Sequence, residues 1–195
     1  ASSIEKSILV GSEWVSISAD DPLVPFIDTP YGEEAAQIEY EIVTSENIKP
    51  LPVYNYHGDD TMFLSMWDKF DAEYALIKGP DFQLLVPKND KEKVRNLKDY
   101  RSLDELIEHY IELFGYYNQI AGFDNSSKEN QNGVNRFFFK ADKNGRGGAY
   151  YSSEWAANSY STVECWLTED SWKVLHEIGH GYQAGFDGVG MYTGE

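Results

Sequence analysis

A single cysteine, Cys165, stands in this 195-residue sequence, so no intrachain disulfide can staple it. For an exported protein of this size, that scarcity excludes a disulfide-rich scaffold and fits bacterial or viral export better than eukaryotic secretion. Positive charge is also scarce: 16 Lys and Arg against 33 Asp and Glu give a formal net charge of −17. Such a chain is repelled by the phosphates of nucleic acid and by anionic lipid, so neither is expected as a partner. The acidity reads as a solvated surface. No apolar run reaches 18 residues, which excludes a membrane-spanning helix. The opening ASSIEKSILVGSEW lacks a basic flank followed by a long apolar core, so a signal peptide is expected to be absent or already removed.

Core-forming side chains are plentiful. Apolar residues make up 42% of the chain and aromatics 15%, with five Trp, fourteen Tyr and ten Phe, which excludes global disorder. The first fifty residues read as strands: Ile8 and Val10, then Trp14, Val15 and Ile17, flank a turn at Gly11 and Ser12. QIEYEIV alternates, with Ile38, Tyr40 and Ile42 facing one way. Pro50 and Pro52 hold the chain extended at a boundary, giving a β-rich region over residues 1–55 and a second unit over 56–195. In that unit DTMFLSMWDKF suits a short helix capped by Asp60, with Phe63, Met66, Trp67 and Phe70 on one side. AEYALI and FQLLV read as strands around the KGPD turn. Ser102 and Glu105 make a capping box ahead of a stripe of Leu106, Tyr110, Leu113, Phe114, Tyr117 and Ile120, and Gly122 supplies the stop. VNRFFFK and GGAYYSS read as further strands.

Two of the four histidines fall in SWKVLHEIGHGYQAGF, residues 171–186. Trp172, Leu175 and Ile178 are spaced for a helix, which Thr168 or Asp170 can cap. Gly179 and Gly181 oppose it by roughly 1 kcal/mol each, so close approach of another backbone is expected to compensate. On a helix, His176 and His180 share one face about 6 Å apart along the axis. Neutral imidazole is a good zinc ligand, and a tetrahedral shell can keep one corner open for water whose pKa falls to roughly 7. Glu177 can reach that water without ligating, take its proton and deliver it to a leaving amine. A lone histidine on an apolar helix is more often a core residue. Two histidines flanking a glutamate on a glycine-weakened helix have no packing reason to be there. His57 and His109 stand alone and read as packing or surface residues, and Cys165 as a small buried hydrophobe.

A third protein ligand is required. A Gly-and-His completion just downstream fails, because its positions hold Gln183 and Phe186. A glutamate further on is offered by Glu195, and Asp187 is the nearer alternative, in the loop expected to end the helix at Gly185 or Gly188. Ligand type and reach favour Glu195.

GGAYYSSEW, CWLTEDSWKVLHEIGHGYQ and MYTGE together resemble the enhancin and enhancin-like zinc metallopeptidases, gluzincins of insect viruses and bacteria, many of which act on mucins and other glycoproteins. That family has a Trp before HExxH, a helix running on to a Gln, and a distant Glu as third ligand; Trp172, Gln183 and Glu195 match those places. TMFLSMWDKF, FQLLVPK and SLDELIEHYIELFGYYNQIAG extend the likeness upstream in the same order. The resemblance implies one zinc ion held by His176, His180 and Glu195, with Glu177 as general base. It implies an α+β fold, a gluzincin-type fragment of mixed β-sheet plus active-site helix behind the β-rich N-terminal region, with the C-terminal helical subdomain missing. Because the sequence stops on its implied third ligand, the remainder of a longer polypeptide is an expected partner. GGAYYSSEW is not the Gly-x-Met-Glu-Asn stretch of the aminopeptidase branch, so an endopeptidase is expected, with Tyr150 and Tyr151 on the strand that lines its cleft. The implied function is a secreted or cell-surface zinc endopeptidase hydrolysing glycoproteins such as mucins. Two alternatives stay open: a glycoprotein-binding module that retains the motif without catalysing, and a general peptidase with no preference for glycoproteins.

Overall fold

The structure, a computed structural model, describes residues 7–18, 22–30, 32–34, 36–43, 48–127, 130–132, 136–145, 147–152 and 155–182. Its sheet grows from the hairpin of β2 (Tyr74–Lys78) and β3 (Phe82–Pro87), paired antiparallel so that Ala75 meets Val86 and Ile77 meets Leu84. That register puts four fully buried apolar side chains on one face. β1 (Val53–Asn55) adds parallel to β2, and β4 (Phe137–Ala141) parallel to β3. β6 (Trp155–Asn158) adds parallel to β4, and β5 (Ala149–Ser152) closes the far edge antiparallel to β6. The order is β1-β2-β3-β4-β6-β5, a mixed sheet with helices, as expected for the α+β class. The strand β6 goes unforeseen in the sequence, because WAAN offers two alanines where β-branched residues announce a strand.

Helices pack on the face bearing Phe82, Phe137 and Phe139. α1 (Asp60–Phe70) buries Phe63 and Trp67 and is capped by Asp59, not Asp60: the Asp59 carboxylate accepts from the Met62 amide at 2.8 Å. Asp60 instead accepts from the Leu103 amide at 3.0 Å, tying α1 to the start of α3 (Leu103–Ala121). The short α2 (Lys91–Arg95) follows β3. α3 begins with the expected box, Ser102 accepting from Glu105 and Glu105 turning back to the Arg101 amide, and it ends on Gly122 at φ 78°. Its Tyr110 and Phe114 meet Phe82, Phe137 and Phe139, while Ile120 has left the core and is exposed. Trp166, in the turn Glu164–Leu167, stacks on Phe139 at 4.4 Å, and its carbonyl accepts from Tyr110 Oη at 2.9 Å. Such aromatic pairs contribute roughly 1 kcal/mol beyond the area they bury.

The β-rich region expected over residues 1–55 is not what the described residues show. Apart from β1 they contain no strand there. Leu9, Trp14, Tyr40 and Val43 are all exposed, so neither parity of the alternating pattern has a surface to bury against. Alternation gives a strand only where a partner covers one face. Phe26 does reach the sheet, its ring 4.8 Å from that of Phe138.

The helix of the histidine pair, α4 (Trp172–His180), is capped by Ser171, which accepts from the Val174 amide; Thr168 and Asp170 precede the cap. Val174 and Ile178 are its core residues, whereas Trp172 points to solvent at 77% exposure. The compensation for its glycines comes from aromatic side chains rather than backbone. A Cβ on Gly181 would sit 2.6 Å from the Phe137 ring, and Phe137 is itself locked between Phe114, Phe139 and Tyr182. A Cβ on Gly179 would only touch Tyr117 at 3.7 Å, and the Tyr117 hydroxyl donates to the Leu175 carbonyl at 2.6 Å. Ahead of α2, Asp90 is 1% exposed and accepts from Lys93 Nζ and Thr162 Oγ1, both at 2.8 Å, and from the Val163 amide at 2.6 Å. It pins the segment that leads from β6 to α4. Cys165 is half-buried, and burial pushes its thiol up to about 11.

Two outcomes follow for urea unfolding. Gly181→Ala forces the Phe137 ring to move and is expected to cost about 1–3 kcal/mol, while Gly179→Ala is neutral or slightly stabilising. Equal effects at the two positions would mean the aromatic seat is wrongly identified. Asp90→Ala strands one amide and one hydroxyl and is expected to cost about 3 kcal/mol.

Candidate metal centre

An α-helix advances about 100° per residue, so α4 divides into three sides. Val174 and Ile178 face the sheet, and Leu175 and Gly179 face Tyr117 of α3. The remaining side carries Lys173, His176, Glu177 and His180. Three of these, with Ala149, Tyr150 and Tyr151 of β5, line a groove of about 400 Å³. The edge strand and the helix run in the same direction along it: Gly148 lies beside Lys173 at one end, and the Tyr151 ring lies 6.2 Å from the His180 ring at the other. Strand alternation separates the two tyrosines. Tyr151 faces the helix side; Tyr150 turns to the other face, where its hydroxyl donates to Asp142 and its ring meets Trp155 edge-on.

The two imidazoles are perpendicular, 84° between planes, and bring their Nε2 atoms to 3.1 Å from each other. Two nitrogens bound to one zinc at about 2.05 Å in a tetrahedral shell lie roughly 3.3 Å apart. The donor set and its spacing therefore fit that ion. Exposed His176 and half-buried His180 also leave the shared point open to the groove. Zinc would be held here through both Nε2 atoms. The third ligand implied by the resemblance, Glu195, and its alternative Asp187 lie outside the described residues, as does Gln183. Among the described residues, no group of three His, Cys, Asp or Glu side chains converges on a point.

Glu177 sits where the groove side meets the core side, about 40° from Lys173 around the axis, and is only 6% exposed. Burial pushes its carboxyl above the ordinary carboxylate range, and the neighbouring His176, His180 and Lys173 pull it partway back. A carboxyl raised in this way accepts a proton more readily near neutrality, as a general base must. His57 and His109 are remote from the groove. His57 stacks on Tyr56 and lies 3.6 Å from Asp104, and His109 packs between Tyr100 and Tyr110.

Two residues of the site escape a reading of the sequence. Tyr117 belongs to the apolar stripe of α3, yet it holds α4 in rotation through the Leu175 carbonyl; nothing local signals a partner 58 positions away. Asn158 is buried at 3% exposure, donates to the Thr162 carbonyl at 2.8 Å, and presents Oδ1 to Lys173 at 3.3 Å.

Comparison with known proteins bears on the family and the fold. The viral-enhancing factor of Heliothis armigera granulosis virus is 29% identical over 181 residues, covering 89% of this chain and 20% of its own length. The factor of Trichoplusia ni granulosis virus is 29% identical over 188 residues, 92% of this chain and 20% of the relative. The chain thus spans about a fifth of the curated relatives it matches. Among solved structures, the M60 catalytic domain of Clostridium perfringens ZmpC, in complex with the sialyl T antigen, superimposes with a TM-score of 0.61 at 16% identity, over 72% of this chain and 30% of that one. The catalytic module of the metalloprotease ZmpA from the same organism gives 0.59 at 16% identity, over 69% and 29%. At such identity these show a shared fold. The family model described as Peptidase M60, enhancin and enhancin-like, matches residues 50–194, and the chain belongs to that family.

Proposed function

We propose that this chain carries the zinc-binding half-site of a secreted or cell-surface endopeptidase that hydrolyses peptide bonds in glycoproteins such as mucins, with residues 56–195 forming the N-terminal part of the peptidase domain. The observation that carries the reading is the convergence of the His176 and His180 Nε2 atoms to 3.1 Å beside a buried glutamate, in an open groove. His176 and His180 hold the ion, and Glu195 completes the set. Bound zinc supplies Lewis acidity toward the scissile carbonyl and lowers the pKa of water to roughly 7. Glu177 takes a proton from the attacking water. Oxygen bonds to the carbonyl carbon, the C–N bond breaks, and Glu177 returns its proton to the departing amine.

The edge position of β5 offers an extended peptide a strand to pair with, and antiparallel addition is the more stable choice. Tyr150 and Tyr151 then flank the substrate backbone. Glycoprotein substrates are supported by the likeness to the ZmpC catalytic domain bound to the sialyl T antigen, and export by the same substrate class.

The test is a longer polypeptide continuing past Glu195, assayed on a mucin and on unglycosylated casein. Glu177→Gln should retain zinc, measured by mass spectrometry, while hydrolysis falls by roughly 10²–10⁴-fold. His176→Ala should lose the metal as well. Full activity in Glu177→Gln removes that residue from its role. A wild type without zinc or cleavage favours the binding module, and equal rates on mucin and casein favour the general peptidase.

A further inference from the structure

His180 is the last residue of α4, and a helix end frays unless something beyond its own hydrogen bonds holds it. The approach of the two Nε2 atoms to 3.1 Å lasts only while that final turn stays wound. The turn closes weakly by itself. The Gly181 and Tyr182 amides reach back only three positions, to the Ile178 and Gly179 carbonyls, and the two glycines lower its helix propensity.

Two neighbouring residues of α3, Tyr117 and Asn118, supply what the turn lacks. The Tyr117 hydroxyl donates to the Leu175 carbonyl at 2.6 Å, just before His176. The Tyr182 hydroxyl donates to Asn118 Oδ1 at 3.0 Å, just after His180. The anchored positions, Leu175 and Tyr182, therefore bracket the histidine pair. The two phenol rings stack on each other, centroids 5.0 Å apart and 22° between planes, and the Phe123 and Phe137 rings flank Tyr182, each at 6.1 Å. A Cβ on Gly179 would lie 3.7 Å from the Tyr117 hydroxyl oxygen, so that phenol rests against bare helix backbone next to His180. Tyr117 meets the helix on the side of Leu175 and Gly179, away from the imidazoles, and acts on them only through the backbone.

We propose that Tyr117 and Tyr182 are positioning residues that keep the last turn of α4 wound and thereby set how tightly His176 and His180 hold a metal ion. The inference rests on the zinc-binding part of the reading above. A third tyrosine provides the contrast: Tyr110, also on α3 and fully buried, donates to the Trp166 carbonyl at 2.9 Å and makes no such bond to α4.

The test uses the longer polypeptide continuing past Glu195, stripped of metal and titrated with zinc against a chromophoric chelator. Tyr117→Phe and Tyr182→Phe each keep the ring and lose the hydroxyl. Each should weaken zinc by roughly tenfold, the size of effect that removing a supporting hydrogen bond has at a metal site. Without metal, the amides of residues 178–182 should exchange hydrogen faster in Tyr117→Phe than in the wild type, and zinc should slow them again. Tyr110→Phe should lower the melting temperature and leave the zinc dissociation constant unchanged. Should Tyr117→Phe fail to fold, Tyr182→Phe decides alone. Zinc bound as tightly by the folded variants as by the wild type, or zinc affinity lost in Tyr110→Phe as much as in the other two, overturns the proposal and leaves the peptidase reading intact. A wild type that takes up no zinc sinks that reading, and this proposal with it.

Discussion

The rotational setting of α4 is the constraint on which the centre depends. Turning the helix by one residue, about 100°, would carry both imidazoles out of the groove together. Three contacts oppose that turn: Val174 and Ile178 are buried against the sheet side, the Tyr117 hydroxyl holds the Leu175 carbonyl, and the Phe137 ring fills the space where Gly181 has no side chain. Packed aromatic interiors deform little, so the contacts specify one orientation. The glycines that weaken the helix as an isolated segment are thus part of how the fold seats it. Gly181 is needed for room and not for dihedral freedom, since its φ of −66° is open to any residue.

Electrostatics divides along the same helix. Glu177 is drawn toward the core, where desolvation raises its proton affinity, while His176 stays exposed. One turn away the Lys173 amine donates to the buried Asn158 amide oxygen at 3.3 Å.

Local rules made some of this legible in the sequence and left the rest hidden. The box of Ser102 and Glu105, the stop at Gly122 and the hairpin around residues 78–82 rest on interactions within a few positions, and each is found where expected. The pairing of His176 with His180 follows from helix geometry alone. What eluded the sequence depends on distant partners. The N-terminal alternation has no covering surface among the described residues, and β6 is recruited by β4 and β5 despite its alanines. Trp172 has helical spacing with Leu175, yet the side of the helix it falls on faces solvent.

The third ligand shows why spacing alone has a limit. Two imidazoles on one rigid helix are placed at almost no additional entropic cost, so their separation is strictly diagnostic. A ligand from a following segment needs only that the chain close a loop, and closure entropy grows with the logarithm of length. Glu195 stands fifteen positions beyond His180 and Asp187 seven, a doubling worth only about 0.6 kcal/mol. Both carboxylates are competent zinc donors. Closure entropy barely separates them, so the choice of Glu195 leans on ligand type and reach and on the family pattern, whereas the choice of His176 and His180 stands on helix geometry.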